Sequence, residues 1–212
     1  MTQIKICGIS NMRGLDAVIA ARADYGGFVF YPPSPRNVQP GEAAELTSRA
    51  KGHLGRAGLF VNPQDDFLAE VLSSADLDVV QLQGSESPER VAQIKSRFGI
   101  PIWKAVSVAT REDVQRAEIY RELADFILFD AKTPPSALPG GMGLKFDWTL
   151  LADFDVGMPW GLAGGLDAGN VDDAIAATNA PLVDVCSGTE SAPGIKDVDR
   201  IAAFCKAARN SG

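Results

Sequence analysis

The chain has 212 residues, 46% of them hydrophobic and 8% aromatic, which suits a compact domain with one large core and excludes a disordered or fibrous chain. Its 20 basic and 27 acidic residues give a net charge of −7 with no Lys/Arg-rich run, so a nucleic-acid surface is not expected, although local donors still allow an anionic small ligand. Three widely spaced cysteines (Cys7, Cys186, Cys205) and one histidine (His53) fit neither a disulfide scaffold nor a zinc site, and no stretch resembles a signal peptide or a membrane span. The expectation is a cytoplasmic, reduced protein with no membrane partner, no metal and no cofactor.

Eight β-rich runs follow one another along the chain: 3–7, 26–31, 55–61, 79–83, 102–108, 125–131, 159–165 and 182–188. Most are continuously apolar, as strands covered on both faces are. Helix patterns lie between them. Asn11 can cap a first helix with Leu15, Val18 and Ile19 on one face. Asn62-Pro63 with Asp65 reads as the start of the third, and Thr110 with Asp113 as a capping box. A short helix fits 146–153, after a Gly/Pro-rich loop at 132–145. Asp197 can cap the last helix, whose stripe is Ile201, Phe204, Cys205 and Ala208. Strand and helix alternating eight times, about 26 residues per unit, predict an α/β fold, a (β/α)8 TIM barrel forming a single domain over 1–212. An open doubly wound sheet would want a glycine-rich first turn, and none follows strand one.

In such a barrel the chemistry gathers at the C-terminal ends of the strands. Cys7 ends strand one, and reads either as a buried core thiol or as a base activated by a nearby cation. Cys205 reads as packing, and Cys186 as filler behind the Ser187 turn. Asp130 follows four large apolar residues, where a carboxylate is costly unless paired, to Lys132 for instance, or functional; partial burial would suit it to be a general acid. Gly164 and Gly165 after strand seven, with Ser187 and Gly188 after strand eight, read as an anion cradle and favour a phosphorylated substrate. Arg36, in a proline-stiffened loop, can clamp a carboxylate. Gln83 closes strand four within reach of a ligand or the barrel rim. Asp184 lies in strand eight, facing either the mouth or the helices. Lys5 and Lys104 sit inside strands where internal pairing with carboxylates is conceivable. A base, an acid and a phosphate grip describe proton transfer on a phosphorylated small molecule.

The strings KICGI (5–9), GFVFYPPSPR (27–36), GLFVN (58–62), VVQLQG (79–84), FDAKTPPSALPGGMGLKFDW (129–148), LAGGL (162–166) and VDVCSGTESAPGIKD (183–197) resemble the phosphoribosylanthranilate isomerase family, in its order. The resemblance implies the third step of tryptophan biosynthesis, an Amadori rearrangement of N-(5′-phosphoribosyl)anthranilate to 1-(2-carboxyphenylamino)-1-deoxyribulose 5-phosphate. It implies Asp130 as general acid, Cys7 as general base, Arg36 beside the anthranilate carboxylate, and phosphate loops at 164–165 and 187–188. Two positions depart from the family pattern: Gln83 stands where histidine is usual, and Gly141-Met142-Gly143 where GTG is common. Family members occur as monomers, dimers or fused domains, so a monomer or homodimer is expected here. The aminoaldose–ketose isomerase of histidine biosynthesis would carry aspartates at strands one and six, against which Cys7 counts. A catalytically silent barrel would bind a phosphorylated ligand or a partner protein without turning it over.

Overall fold

The eight apolar runs become eight parallel strands that pair in chain order and close on themselves. In this computed structural model, residues 1–132, 146–152 and 157–210 are described. The strands are β1 (Gln3–Cys7), β2 (Tyr25–Phe30), β3 (Gly55–Phe60), β4 (Val79–Leu82), β5 (Ile102–Val108), β6 (Phe126–Ala131), β7 (Trp160–Leu162) and β8 (Leu182–Val185). Between them run α1 (Met12–Ala20), α2 (Pro40–Ala50), α3 (Asp65–Ser74), α4 (Pro88–Phe98), α5 (Arg111–Gln115) and α6 (Val171–Thr178), and α7 (Val198–Asn210) follows. No helix of the described residues is long and apolar enough to cross a membrane.

The pleat sorts each strand's residues into two cores. Ile4, Ile6, Phe28, Phe30, Val80 and Leu82 face outward and pack with Leu15, Leu46, Val91 and other helix residues into the larger cluster. The alternate set (Ala57, Val79, Trp103, Ala105, Phe126, Leu128, Ala163, Leu182) fills the barrel interior with Tyr25 against it. Its aromatics plug the N-terminal end, where Trp103 stacks on Phe126 at 4.4 Å and meets the Tyr25 edge at 4.9 Å. Residues of the same parity nearer the C-terminal end are Lys5, Cys7, Gln81, Gln83, Asp130 and Asp184, all buried. Within the barrel, polar side chains thus occupy the upper interior above a dry floor, whereas Lys104, of the outward parity on β5, pairs with Glu86 at 3.0 Å.

Helix starts follow their caps. Asn11 accepts from the Gly14 amide, Thr110 and Asp113 form the expected box, and Asp197 accepts from the Asp199 and Arg200 amides. Asn62 does not cap α3, which begins at Asp65 behind Gln64. Instead Asn62 takes a left-handed backbone, φ 47°, and its Oδ1 accepts from the Ser85 amide in the next loop. Asparagine tolerates that conformation as readily as a cap position, so the same letters serve two geometries.

Other differences lie at the ends of strands. The run 159–165 ladders only over Trp160–Leu162, because Gly164 (φ 92°) and Gly165 (φ 63°) turn the chain away. The run 182–188 stops at Val185, and Ser187–Thr189 forms a short 3-10 turn. It leads into an unanticipated hairpin, β9 (Glu190–Ala192) with β10 (Ile195–Lys196). The short helix expected at 146–153 is a 3-10 turn over Trp148–Leu151. Most of the Gly/Pro-rich loop, including Gly141-Met142-Gly143, lies outside the described residues.

Candidate active site

Charge enters the upper interior as a pair. Lys5 on β1 is fully buried, and its Nζ donates to Asp184 Oδ2 on β8 at 2.7 Å. The strand register sets Lys5 opposite Asp184, so adjacent strands supply both partners. Burial disfavours the ammonium, but the Asp184 carboxylate and then Cys7 outweigh it and raise the Lys5 pKa.

Cys7 lies two residues above Lys5 on the same face, 4% exposed. Both look into a notch left by Gly27 on β2: a Cβ there would stand 2.9 Å from Cys7 Sγ and 3.2 Å from Lys5 Nζ. The neighbouring Cys186 is the main influence on Cys7; with the Lys5 charge it overcomes burial and lowers the Cys7 pKa to about 7, while the Cys186 thiol itself donates to Glu190 Oε1 at 3.9 Å. Cys186, expected to be filler, neighbours Cys7, and that contact together with burial pushes its own pKa well up. Cys205 is packing, 1% exposed in the outer core.

Asp130 crowns β6 and is buried. Burial first, then the Asp184 charge, raises its pKa to about 6, against the Ala131 amide, Gln83 and Lys5. Lys132, the alternative partner considered for it, reaches Asp113 instead. Gln83 donates through Nε2 to Asp130 Oδ2 at 2.7 Å, and its Oε1 in turn accepts from Gln81 Nε2 at 2.8 Å. This relay fixes the Gln83 amide with its nitrogen toward the acid, a positioning role that needs no titration.

Arg36 crosses beside Gly8, whose Cβ would meet Arg36 Cδ at 2.8 Å. Its Nε and Nη2 grip the two Glu190 oxygens at 2.8 Å each, a planar fork on a carboxylate. Lys196 Nζ also reaches Glu190 Oε1 at 3.2 Å, with the Cys186 carbonyl at 2.8 Å and Thr189 Oγ1 at 3.1 Å. Burial opposes the Glu190 charge, but Arg36 and Lys196 hold its pKa low. The β9–β10 hairpin thus anchors the side chain expected to meet a carboxylate.

The two glycine loops meet. A Cβ on Gly188 would fall 2.1 Å from the Leu166 carbonyl oxygen, and one on Gly164 2.5 Å from the Ala131 nitrogen. Backbone therefore presses on backbone across the ends of β6, β7 and β8. Asn170 Nδ2 donates to the Gly165 carbonyl at 3.0 Å and tightens the first loop.

The whole interior is matched by a family model. The model describes N-(5′-phosphoribosyl)anthranilate (PRA) isomerase and covers residues 4–207. The chain belongs to this family. The N-(5′-phosphoribosyl)anthranilate isomerase of Paramagnetospirillum magneticum is 51% identical over 208 residues, 98% of this chain and 97% of the relative. The phosphoribosyl anthranilate isomerase crystal structure from Thermotoga maritima superposes with a TM-score of 0.90 at 39% identity, covering 99% of this chain and 100% of that one. A phosphoribosyl anthranilate isomerase in complex with reduced 1-(o-carboxyphenylamino)-1-deoxyribulose 5-phosphate gives 0.86 at 36%, with the same coverage.

Of the residues singled out from sequence, Cys7, Gln83, Asp130 and Asp184 converge on the interior of this isomerase-family barrel, and Arg36 joins them beside Gly8. Gly164, Gly165, Ser187 and Gly188 form the abutting rim. The sequence marks Lys5 as a candidate for internal pairing without naming its partner, and does not single out Gln81, Glu190 or Lys196. Gln81 carried a signal, being polar within an apolar strand at the parity of Gln83. Glu190 and Lys196 carried none, since their hairpin read as loop.

Proposed function

We propose that the chain isomerises N-(5′-phosphoribosyl)anthranilate to 1-(2-carboxyphenylamino)-1-deoxyribulose 5-phosphate, with Asp130 and Cys7 as its acid–base pair. The observation that carries the assignment of roles is placement: Cys7 at the end of β1 and Asp130 near the end of β6 are both buried on the interior parity of the barrel, where their surroundings raise the carboxyl pKa to about 6 and lower the thiol pKa to about 7. Both shifts run toward neutrality, where proton transfer in both directions is cheap.

Asp130, protonated, gives its proton to the furanose ring oxygen. The C1′–O bond breaks and the anilino nitrogen supplies its lone pair, leaving an open-chain iminium. The iminium acidifies the C2′ hydrogen, so a thiolate of ordinary basicity suffices as base. Cys7 takes that proton, the electrons form the C1′–C2′ double bond of an enolamine, and tautomerisation yields the ketone. Gln83 holds the Asp130 carboxyl in place, and the Lys5 ammonium favours the Cys7 thiolate without reaching the substrate. Arg36, preset by Glu190, faces the anthranilate carboxylate, and the rim of Gly164, Gly165, Ser187 and Gly188 receives the phosphate. Asp184 acts through Lys5 as well as lining the site. We place the protein in the cytoplasm as a monomer or homodimer.

The test follows the loss of phosphoribosylanthranilate fluorescence, with substrate generated in situ and product confirmed by mass. Wild type consumes substrate rapidly, and Cys7→Ala and Asp130→Ala, both folded by circular dichroism, fall by about a hundredfold or more. Wild-type loss no faster than the blank would instead identify a silent ligand-binding barrel. A near-normal rate in either variant would remove that residue's role.

A further inference from the structure

Cys186 is a second thiol in the site that the isomerisation does not consume. The register of β1 on β8 runs Gln3↔Leu182, Ile4↔Val183, Lys5↔Asp184 and Ile6↔Val185, and Cys7 and Cys186 are the next residue of each chain after the ladder ends. The 2.7 Å contact between Lys5 and Asp184 shows that side chains of that parity meet across the seam. Cys7 and Cys186 lie two residues beyond that pair, Cys186 just past the end of β8, and Cys186 is the leading influence on the Cys7 thiol. Neighbouring strands stand about 4.8 Å apart, inside the range of about 4.4–6.8 Å over which Cα atoms accept a disulfide. Cys186 Sγ reaches back over the β1 end: it would lie 3.2 Å from a Cβ on Gly8, the residue next to Cys7. Cys186 is partly exposed, whereas Cys7 is buried and Cys205 is remote in the outer core.

We propose that Cys7 and Cys186 are a redox pair, which hydrogen peroxide converts to a disulfide across the β1–β8 seam and a small dithiol restores. The Cys7 thiolate attacks the peroxide, so that an S–O bond forms, the O–O bond breaks and hydroxide leaves with a proton as water. The Cys186 sulfur then attacks the sulfenic sulfur. The S–S bond forms, the S–O bond breaks, and the departing hydroxide takes the Cys186 proton as a second water. Two thiols are oxidised by two electrons and one peroxide is reduced. The lowered proton affinity of Cys7 suits it to be the attacking sulfur. The consequence is a reversible lock on the isomerase, with the second thiol guarding the first against overoxidation. The lock on activity, though not the bond itself, rests on Cys7 being the general base.

The test treats the full-length protein with hydrogen peroxide, quenches it by alkylation under denaturing conditions, and maps peptides without reduction. Expected is a cross-linked peptide pair holding Cys7 and Cys186, lighter by two hydrogens, with Cys205 alkylated. Activity falls by about tenfold or more and returns with dithiothreitol. Under the same excess of peroxide, Cys186→Ser gains two or three oxygens on Cys7, and its activity, measured against its own untreated rate, does not return. Absence of the cross-link from treated wild type, with Cys7 carrying the added oxygens, overturns the proposal even if Cys7→Ala is inactive. A cross-link with activity retained upholds the redox pair and removes Cys7 as the base.

Discussion

Replacing Lys5 with methionine keeps the length of the side chain and removes the charge at the centre of the site. Lys5 is fully buried, and the only protein hydrogen bond to the Asp184 carboxylate among the described residues comes from it, since Asp184 Oδ1 is buried with no partner. Lys5→Met therefore strands a buried anion, a change that costs about 3–5 kcal/mol. Domains of this kind have about 5–15 kcal/mol to lose. Adding Asp184→Asn removes the stranded charge, so the double variant recovers part of that loss despite a second substitution in the core. Equilibrium urea unfolding of wild type, both singles and the double, followed by circular dichroism, measures the coupling. The Lys5 pKa is raised on folding, so its contribution is whole below the unfolded value of about 10.4 and is lost as pH climbs through the folded one. A comparison at pH near 8 lies on the plateau. A Lys5→Met penalty under about 1 kcal/mol, or a double variant no more stable than that single, would refute the claim that this pair is mutually dependent.

Two further substitutions probe the rim and the acid. Gly188→Ala places a methyl against the Leu166 carbonyl and forces the two glycine loops apart. Steady-state kinetics should show KM raised about tenfold, roughly 1.4 kcal/mol of lost binding, with kcat changed less; an unchanged KM would detach this rim from the phosphate. Gln83→Leu removes the donor that favours the Asp130 carboxylate. The Asp130 limb of the pH–rate profile should move up from about 6 and kcat should fall, whereas an unmoved limb would end the positioning role of Gln83.

The barrel was legible because most strands are covered on both faces, which writes them as short apolar runs bounded by turn residues and alternating regularly with helix patterns. The ends of β7 and β8 were overextended because Ala163, Gly164 and Cys186 continue the small and apolar texture after the ladder has ended. Cys7 and Asp130 stood out since they are polar groups at the mouths of apolar strands. Their partners did not. Lys5 meets Asp184 from 179 residues away, a contact that only closure of the barrel creates. Glu190 and Lys196 belong to a hairpin of three and two residues, too short to carry any pattern, yet they hold Arg36. Local sequence thus announces the polar groups at the strand mouths and stays silent about the long-range contacts that tune them.

The central claim is that a protonated Asp130 and a deprotonated Cys7 act together, and the pH dependence of kcat/KM tests it most directly. The acid is lost as pH rises through about 6, and the base is gained as pH rises through about 7. The competent form is therefore a minority species. Its population should peak between these values and fall about tenfold per pH unit beyond them on both sides. Fluorescence progress curves at low substrate across pH 5 to 9 should trace that bell, and both limbs should move upward in Lys5→Met, which removes the charge that holds both proton affinities down. A flat profile, or a bell that does not move when Lys5 is replaced, would contradict the account.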